Sequence, residues 1–245
     1  MNFTLLAAAC SLVTAFSAAA ATPKPAPANV RVEVQIVAVP LAKAVELLPE
    51  LRDPDSIDEA FTQIQEMLSS SEAKLIAWPE LRTKSGQRAV TEDVEEMRYP
   101  SEYVEVSRSE HEPPPPKDAS KRVDQDPMRP TAFATRNIGV TLEVEAVVLG
   151  DSATIDLQVA PQHVRFLGYE SFDANPEAKG REAKLKQPRF YTTKTNTSLS
   201  LRSGQRVLLG SFVVPEPLDH IEFFILQAQL IPVEAPAAAE EHEGP

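Results

Sequence analysis

The chain has one cysteine, eight glycines and few aromatic residues, which make up 6% of its 245 residues. Its cysteine, Cys10, lies inside an apolar leading segment. No disulfide is therefore available to the rest of the chain, and stability must come from packing and strand pairing. Basic charge is also short, with 24 Lys and Arg against 36 Asp and Glu and a net charge of −12. That balance argues against nucleic acid or an anionic membrane surface as a partner for the body of the chain. The motifs that carry chemistry are missing: there is no G-x-S-x-G elbow, G-x-x-x-x-G-K-[ST] loop, G-x-G-x-x-G or H-E-x-x-H. The histidines, His111, His163, His220 and His242, are scattered, and His163 reads as a strand-end residue and not as a ligand. Glu143 and Glu145 share one strand face and could pass for an acid/base pair, but a wetted strand face accounts for them at less cost. The expectation is a protein that is not an enzyme, with no catalytic residue, cofactor or metal site.

What is present is a pattern of strands. Hydrophobic residues make up 42% of the chain, enough for a substantial core in one or two domains. The 22 prolines cluster, so folded stretches alternate with segments that cannot fold. Phe3 to Ala21 is apolar or small and offers Ala-x-Ala sites before Thr22. Residues 1–21 therefore read as a cleaved signal peptide, with a retained membrane anchor as the alternative. Residues 22–29, TPKPAPAN, read as a Pro/Ala linker.

A folded domain is expected over residues 30–231. Val30, Val32, Val34 and Ile36 alternate with Arg31, Glu33 and Gln35, which predicts a strand with one wet face. Two short helices follow. The first, Leu41–Leu51, has Leu41, Val45 and Leu48 on one side. The second starts at Ser56, where Glu59 completes a capping box, and carries the stripe Ile57, Phe61, Ile64 and Leu68. Residues 137–148 and 155–159 alternate and make a hairpin about Gly150-Asp151-Ser152. Order is expected to return at Asn137, after a disordered loop over 110–130, EHEPPPPKDASKRVDQDPMRP. A second polar loop is expected over 170–188, then a Thr-rich strand over 191–200 and a last strand over Ile221–Ile231. Residues 232–245 read as a disordered acidic tail.

The stretch that organises the chain is Ala73–Val90, AKLIAWPELRTKSGQRAV, and it is echoed downstream by Leu199–Leu209, LSLRSGQRVLL. Each copy reads as strand, glycine turn and strand, with Gly86 or Gly204 supplying a positive φ and Gln87 or Gln205 following it. Pro79 suits an edge or a bulge. The echo predicts two hairpins built alike.

These stretches resemble the secretin family, the outer-membrane channel subunits of type II and type III secretion and type IV pilus systems. Residues 73–103 resemble the family's Ala-Lys-apolar strand, its proline and its Gly-Gln turn, so Pro79, Gly86 and Gln87 take those positions. Asn137 to Leu142 is similar to the Val-Gly-apolar entry into a long strand, which places Gly139. Thr192–Phe212, TTKTNTSLSLRSGQRVLLGSF, resembles the closing pattern and places Gly204, Gln205 and Gly210. Ser211 stands where a second glycine is usual.

The resemblance implies a fold that is mainly β, with two short helices near the N-terminus (α+β). It would be a secretin-like antiparallel β domain with long β-hairpins. The implied function is a non-catalytic subunit of an outer-membrane pore for protein secretion in a Gram-negative bacterium. Its partners would be copies of itself in a homo-oligomeric ring, other secretion-system or envelope proteins, and the outer membrane. The alternative is a stand-alone periplasmic or envelope β domain with a binding or assembly role and no channel of its own.

Overall fold

Strict alternation places β1 (Asn29–Pro40) in the middle of a sheet. The computed structural model describes residues 28–105, 128–173, 184–215 and 219–231. Val30, Val32, Val34 and Ile36 point inward, and none is exposed. The other face is wet at Arg31 and Glu33, but Val37 and Val39 are covered by the helices α1 (Leu41–Arg52) and α2 (Ile57–Ser69). Its last part is therefore buried on both faces.

The chain then runs through β2 (Lys74–Ala77), β3 (Glu80–Lys84), β4 (Gln87–Glu105), β5 (Met128–Val148) and β6 (Thr154–Asp173). It ends with β7 (Lys184–Lys194), β8 (Thr197–Arg202), β9 (Arg206–Val213) and β10 (His220–Ile231). All the strand pairs are antiparallel. The first sheet has the order β2-β1-β10-β9, with β3 also on β1; the second has the order β4-β5-β6-β7, with β8 also on β6. The two sheets face each other over one apolar core. Valines of β1, Phe224, Leu226 and Ala228 meet Leu142, Val144, Ile155, Leu157 and Val159 across it. With the helices on the outside of the first sheet, the molecule has three layers.

The two sheets are built on one plan. β1 carries β2 and β3 end to end along one edge, and β6 carries β7 and β8 in the same way. At the break in each edge a backbone hydrogen bond is kept, from Val34 N to Pro79 O (3.1 Å) and from Thr195 N to Pro161 O (3.2 Å). From β3 the chain crosses to β4 in the other sheet, and from β8 it crosses back to β9. The twin glycine turns are these two crossings. Sequence echo predicts hairpins, but no ladder joins β3 to β4 or β8 to β9 among the described residues. The reason is that each strand of the echo already has a partner from elsewhere in the chain.

Several other expectations change for physical reasons. α1 buries Ala44, Leu47 and Leu51, while Leu41 (37%) and Val45 (59%) are exposed. Both sides of this helix are apolar, and the face bearing the small Ala44 is the one that meets the sheet. There is no capping box. The Ser56 hydroxyl donates to Glu50 O (3.0 Å) at the end of α1, and Glu59 N donates to Ser56 O (3.1 Å). Order returns at Met128, not Asn137, and residues 91–105 are strand. The described residues of the second expected loop are strand too, with 170–173 closing β6 and 184–188 opening β7. In all these segments cross-strand pairing on one side holds the backbone extended without burying both faces, so polar sequence is no obstacle. His163 is not at a strand end but deep within β6. The expected signal, most of the Pro/Ala linker, the acidic tail, His111, His242 and the rest of both expected loops lie outside the described residues.

Candidate functional site

The strands of the second sheet outrun the sandwich. β4 and β5 stay paired from Gln87↔Ala146 to Glu105↔Met128, and β6 and β7 from Gln162↔Lys194 to Asp173↔Lys184. Pairing between β5 and β6, however, ends at Gly139↔Val164. Beyond that point the sheet forks into two ribbons of two strands. Each distal strand is paired on one side only, so both long edges of each ribbon present unpaired N–H and C=O groups.

The ribbons lie against each other through side chains. The Tyr99 and Phe190 ring centroids are 5.6 Å apart, Gln187 donates to Pro100 O (3.4 Å), and Arg136 donates to Thr192 Oγ1 (3.1 Å). Phe166 stacks edge-on with Tyr169 at 5.1 Å. Facing outward, Val94, Val104, Phe133, Tyr169 and Phe172 are exposed, with Arg98 seated 4.5 Å over the Phe133 ring. Outward apolar groups on a strand are what a lipid or protein surface could cover.

A buried polar cluster closes the sandwich beneath the fork. Glu222 is a lone carboxylate in the apolar run of β10, and its inward position leaves it wholly buried. It meets His163 Nδ1 at 3.5 Å, accepts from Thr193 Oγ1 at 3.3 Å and lies 3.4 Å from Arg165 Nη1. Burial pushes the Glu222 carboxyl up. The hydrogen bond from His163, the Arg165 and His163 charges and the Thr193 hydroxyl push it down and prevail, so it sits below its ordinary value. Arg165 also lies 5.1 Å over the Tyr191 ring. The cluster joins β10 of one sheet to β6 and β7 of the other at the root of the second ribbon. Sequence reasoning missed it, although an isolated glutamate within Ile221–Leu226 was the signal available. Chemically it is an ion-paired strut.

The positions singled out in the sequence do not gather in one pocket; they mark the bends of the frame. Pro79 lies at the break between β2 and β3. At the first crossing Ser85 N donates to Ala28 O (3.0 Å), Gly86 N donates to Ala146 O (2.7 Å), and Ser85 Oγ accepts from Val148 N (3.0 Å). At the second, Ser203 N donates to Ala153 O (2.9 Å), Gly204 N donates to Ala228 O (2.8 Å), and Ser203 Oγ accepts from Leu230 N (3.0 Å). The serine and glycine bonds of the two corners correspond one to one. Gly86 and Gly204 have φ of +76° and +86°, the left-handed region that favours glycine.

Gln87 donates to Gly86 O (3.2 Å), whereas Gln205 Oε1 accepts from Arg202 N (2.9 Å), so the glutamines differ in detail. Gly139 stands at the fork with φ +126°, where an added Cβ would lie 2.1 Å from Asp93 O. Only glycine allows β4 to pass so close. Gly210 lies within β9, against the Phe212 ring and Thr195 Oγ1. Glu143 pairs with Arg88 on the wet outer face, as a solvated strand face requires.

A two-sheet sandwich with paired glycine crossings and forked, open-edged ribbons is matched by one family model. The secretin model, described as "Bacterial type II and III secretion system protein", covers residues 67–214, more than half of the chain. The chain belongs to the secretin family. The matched span of this secretin chain runs from the end of α2 through both corners and the fork.

Among solved structures, the secretin chain is similar to the InvG secretin domain β-barrel of the Salmonella injectisome. Identity is 11% and the TM-score 0.41, with 87% of this chain and 66% of that one covered. It is also similar to the type II secretion system secretin GspD of Escherichia coli K12, with 11% identity, a TM-score of 0.43, and 84% and 51% covered. Aeromonas hydrophila ExeD is similar at 10% identity and a TM-score of 0.41, with 84% and 49% covered. The chain thus spans about two thirds or less of each of these relatives. No curated protein matches the sequence.

Proposed function

We propose that the chain is a non-catalytic subunit of an outer-membrane pore for protein secretion, formed by a ring of identical copies. One observation carries this reading: the fork produces two ribbons whose edges are unpaired on both sides. Backbone polar groups can cross a bilayer on strands only if every edge is closed. A ring of copies, each lending its ribbons to a common wall, closes them. From Val94 to Glu105 the first ribbon rises about 3.3 Å per residue, or roughly 35–40 Å. Counted in residues, 94–105 is slightly longer than the ~9–11 that a membrane strand uses.

Pro79, Gly86, Gln87, Gly139, Gly204, Gln205 and Gly210 serve as structural positions that shape the frame and touch no cargo. The chain would reach the envelope by export, and other secretion-system proteins would be its partners. The full chain should be recovered from the outer-membrane fraction and, in detergent, should give rings with a central opening by electron microscopy and a conductance in planar bilayers. A soluble periplasmic monomer would overturn this reading.

A second reading, a stand-alone envelope domain that binds a partner without forming a channel, is favoured by a specific feature. Glu96 and Arg98 share the outward face of β4 with the exposed Val94, which breaks the apolar band a lipid-facing strand needs. A chain that binds an envelope partner and gives no ring in the outer-membrane fraction would support it.

A further inference from the structure

Beyond the fork, charge is sorted by strand. Distal β4 carries Glu95, Glu96, Glu102 and Glu105 against the single Arg98, while distal β5 carries Arg129 and Arg136 and no carboxylate. The second ribbon repeats the arrangement. β6 beyond Val164 carries Glu170 and Asp173, with its one basic residue, Arg165, turned to Glu222, and β7 up to Tyr191 carries Lys186 and Arg189 and no carboxylate. Along the sheet order β4-β5-β6-β7 the distal strands therefore run acidic, basic, acidic, basic. Within the first ribbon, Arg98 lies over Phe133, and Arg136 reaches Thr192 and lies 5.9 Å from the Phe190 ring. Among the described residues, none of the four carboxylates of distal β4 has a basic side chain within ion-pair distance.

We propose that this sorting sets how copies of the chain join. The acidic β4 edge of one copy pairs with the basic β5 edge of the next, and β6 with β7 in the same sense. The inference rests on the reading of the chain as a ring subunit, and adds which edge meets which. Opposite charges facing or diagonal across a strand pair are favourable, and like charges are unfavourable. Two copies meeting β4 to β4 would set one glutamate row against another, so the two-fold pairing is suppressed. Joining β5 to the next β4 keeps the antiparallel alternation and leaves the same pair of edges free at each end. That head-to-tail arrangement is the kind that closes into a ring. Charge also steers the encounter, so assembly of the unaltered chain slows as salt is added.

The test uses full-length chains in detergent, with assembled mass read by size-exclusion chromatography and light scattering. One variant carries Glu95→Lys, Glu96→Lys, Glu102→Lys and Glu105→Lys; a second carries Arg129→Glu and Arg136→Glu. Each alone is expected to lose the assembled species. Co-expressed, the two should assemble as an alternating ring, because each then offers the edge the other lacks. A chain bearing all six changes should assemble by itself.

Single variants that assemble like the unaltered chain would overturn the proposal. So would a mixture that stays unassembled while the six-change chain recovers, since the charges would then act only within a ribbon. A mixture and a six-change chain that both fail would overturn it as well. An unaltered chain that remains a monomer overturns the ring reading and this inference with it. A ring that assembles by these rules but does not conduct overturns the pore alone.

Discussion

The strands β4 to β7 run through both the sandwich and the ribbons, yet they obey different rules on either side of Gly139 and Val164. Below that line, every inward residue of β5 from Val140 to Val148 is apolar and buried, and it meets a partner sheet supplied by the same chain. Above it, Phe133, Tyr169 and Phe172 are about half exposed, the backbone edges are open, and charge is sorted by strand instead of by face. The sandwich completes its own burial and pairing; the ribbons present surfaces whose complement has to come from outside the chain.

The sharpest way to break this comparison is a matched pair of truncations. Phe224 is wholly buried and stacks edge-on with Phe212 at 5.1 Å. Phe224→Ala should lower unfolding stability by about 3–5 kcal/mol in a urea titration. Gly139→Ala comes next. Its backbone conformation alone would cost about 1–3 kcal/mol, and the clash with Asp93 O adds to this, so the melting temperature falls and the fork shifts.

Gly86→Ala and Gly204→Ala meet no neighbouring atom and suffer only from positive φ. Each should cost about 1–2 kcal/mol, with closely similar values because the serine and glycine bonds of the two corners correspond. Unequal losses would sink the equivalence of the corners.

Acid probes the strut beneath the fork. Glu222 is held below its ordinary value, so the native state binds fewer protons there than the unfolded chain does. Its contribution is complete above the ordinary carboxylate range and fades as pH falls through the lowered value. Glu222→Gln should therefore flatten the acid limb of the stability curve. The smallest effect is expected of Phe133→Ala, within about 0.5 kcal/mol for the isolated chain, while assembly of the copies weakens. A large loss of monomer stability at Phe133 would erase the distinction between the two regions.

How much of this the sequence disclosed follows the same line. Val30–Ile36 and Val140–Val148 were legible because one face is buried and the other wet, which writes period two into the residues. The ribbons were not, because both faces are half exposed and the alternation dissolves; residues 128–130, 170–173 and 184–188 therefore read as loop, and 91–105 and 131–136 give no period-two signal. α1 offered two apolar stripes, and its sequence alone does not say that Ala44 and Leu47 face the sheet while Val45 faces out. The glycine echo was visible, but its meaning depended on partner strands far away in the chain. Glu222 passed unread in its apolar run, because His163, Arg165 and Thr193 lie 59, 57 and 29 positions away and only the fold brings them together.

The matched crossings have a mechanical consequence. Because the chain passes from one sheet to the other along both seams, neither sheet can be peeled off without undoing a corner and, with it, bonds in the opposite sheet. Pulling on the ribbons should load both layers together, so the base behaves as one anchored block that gives way all at once.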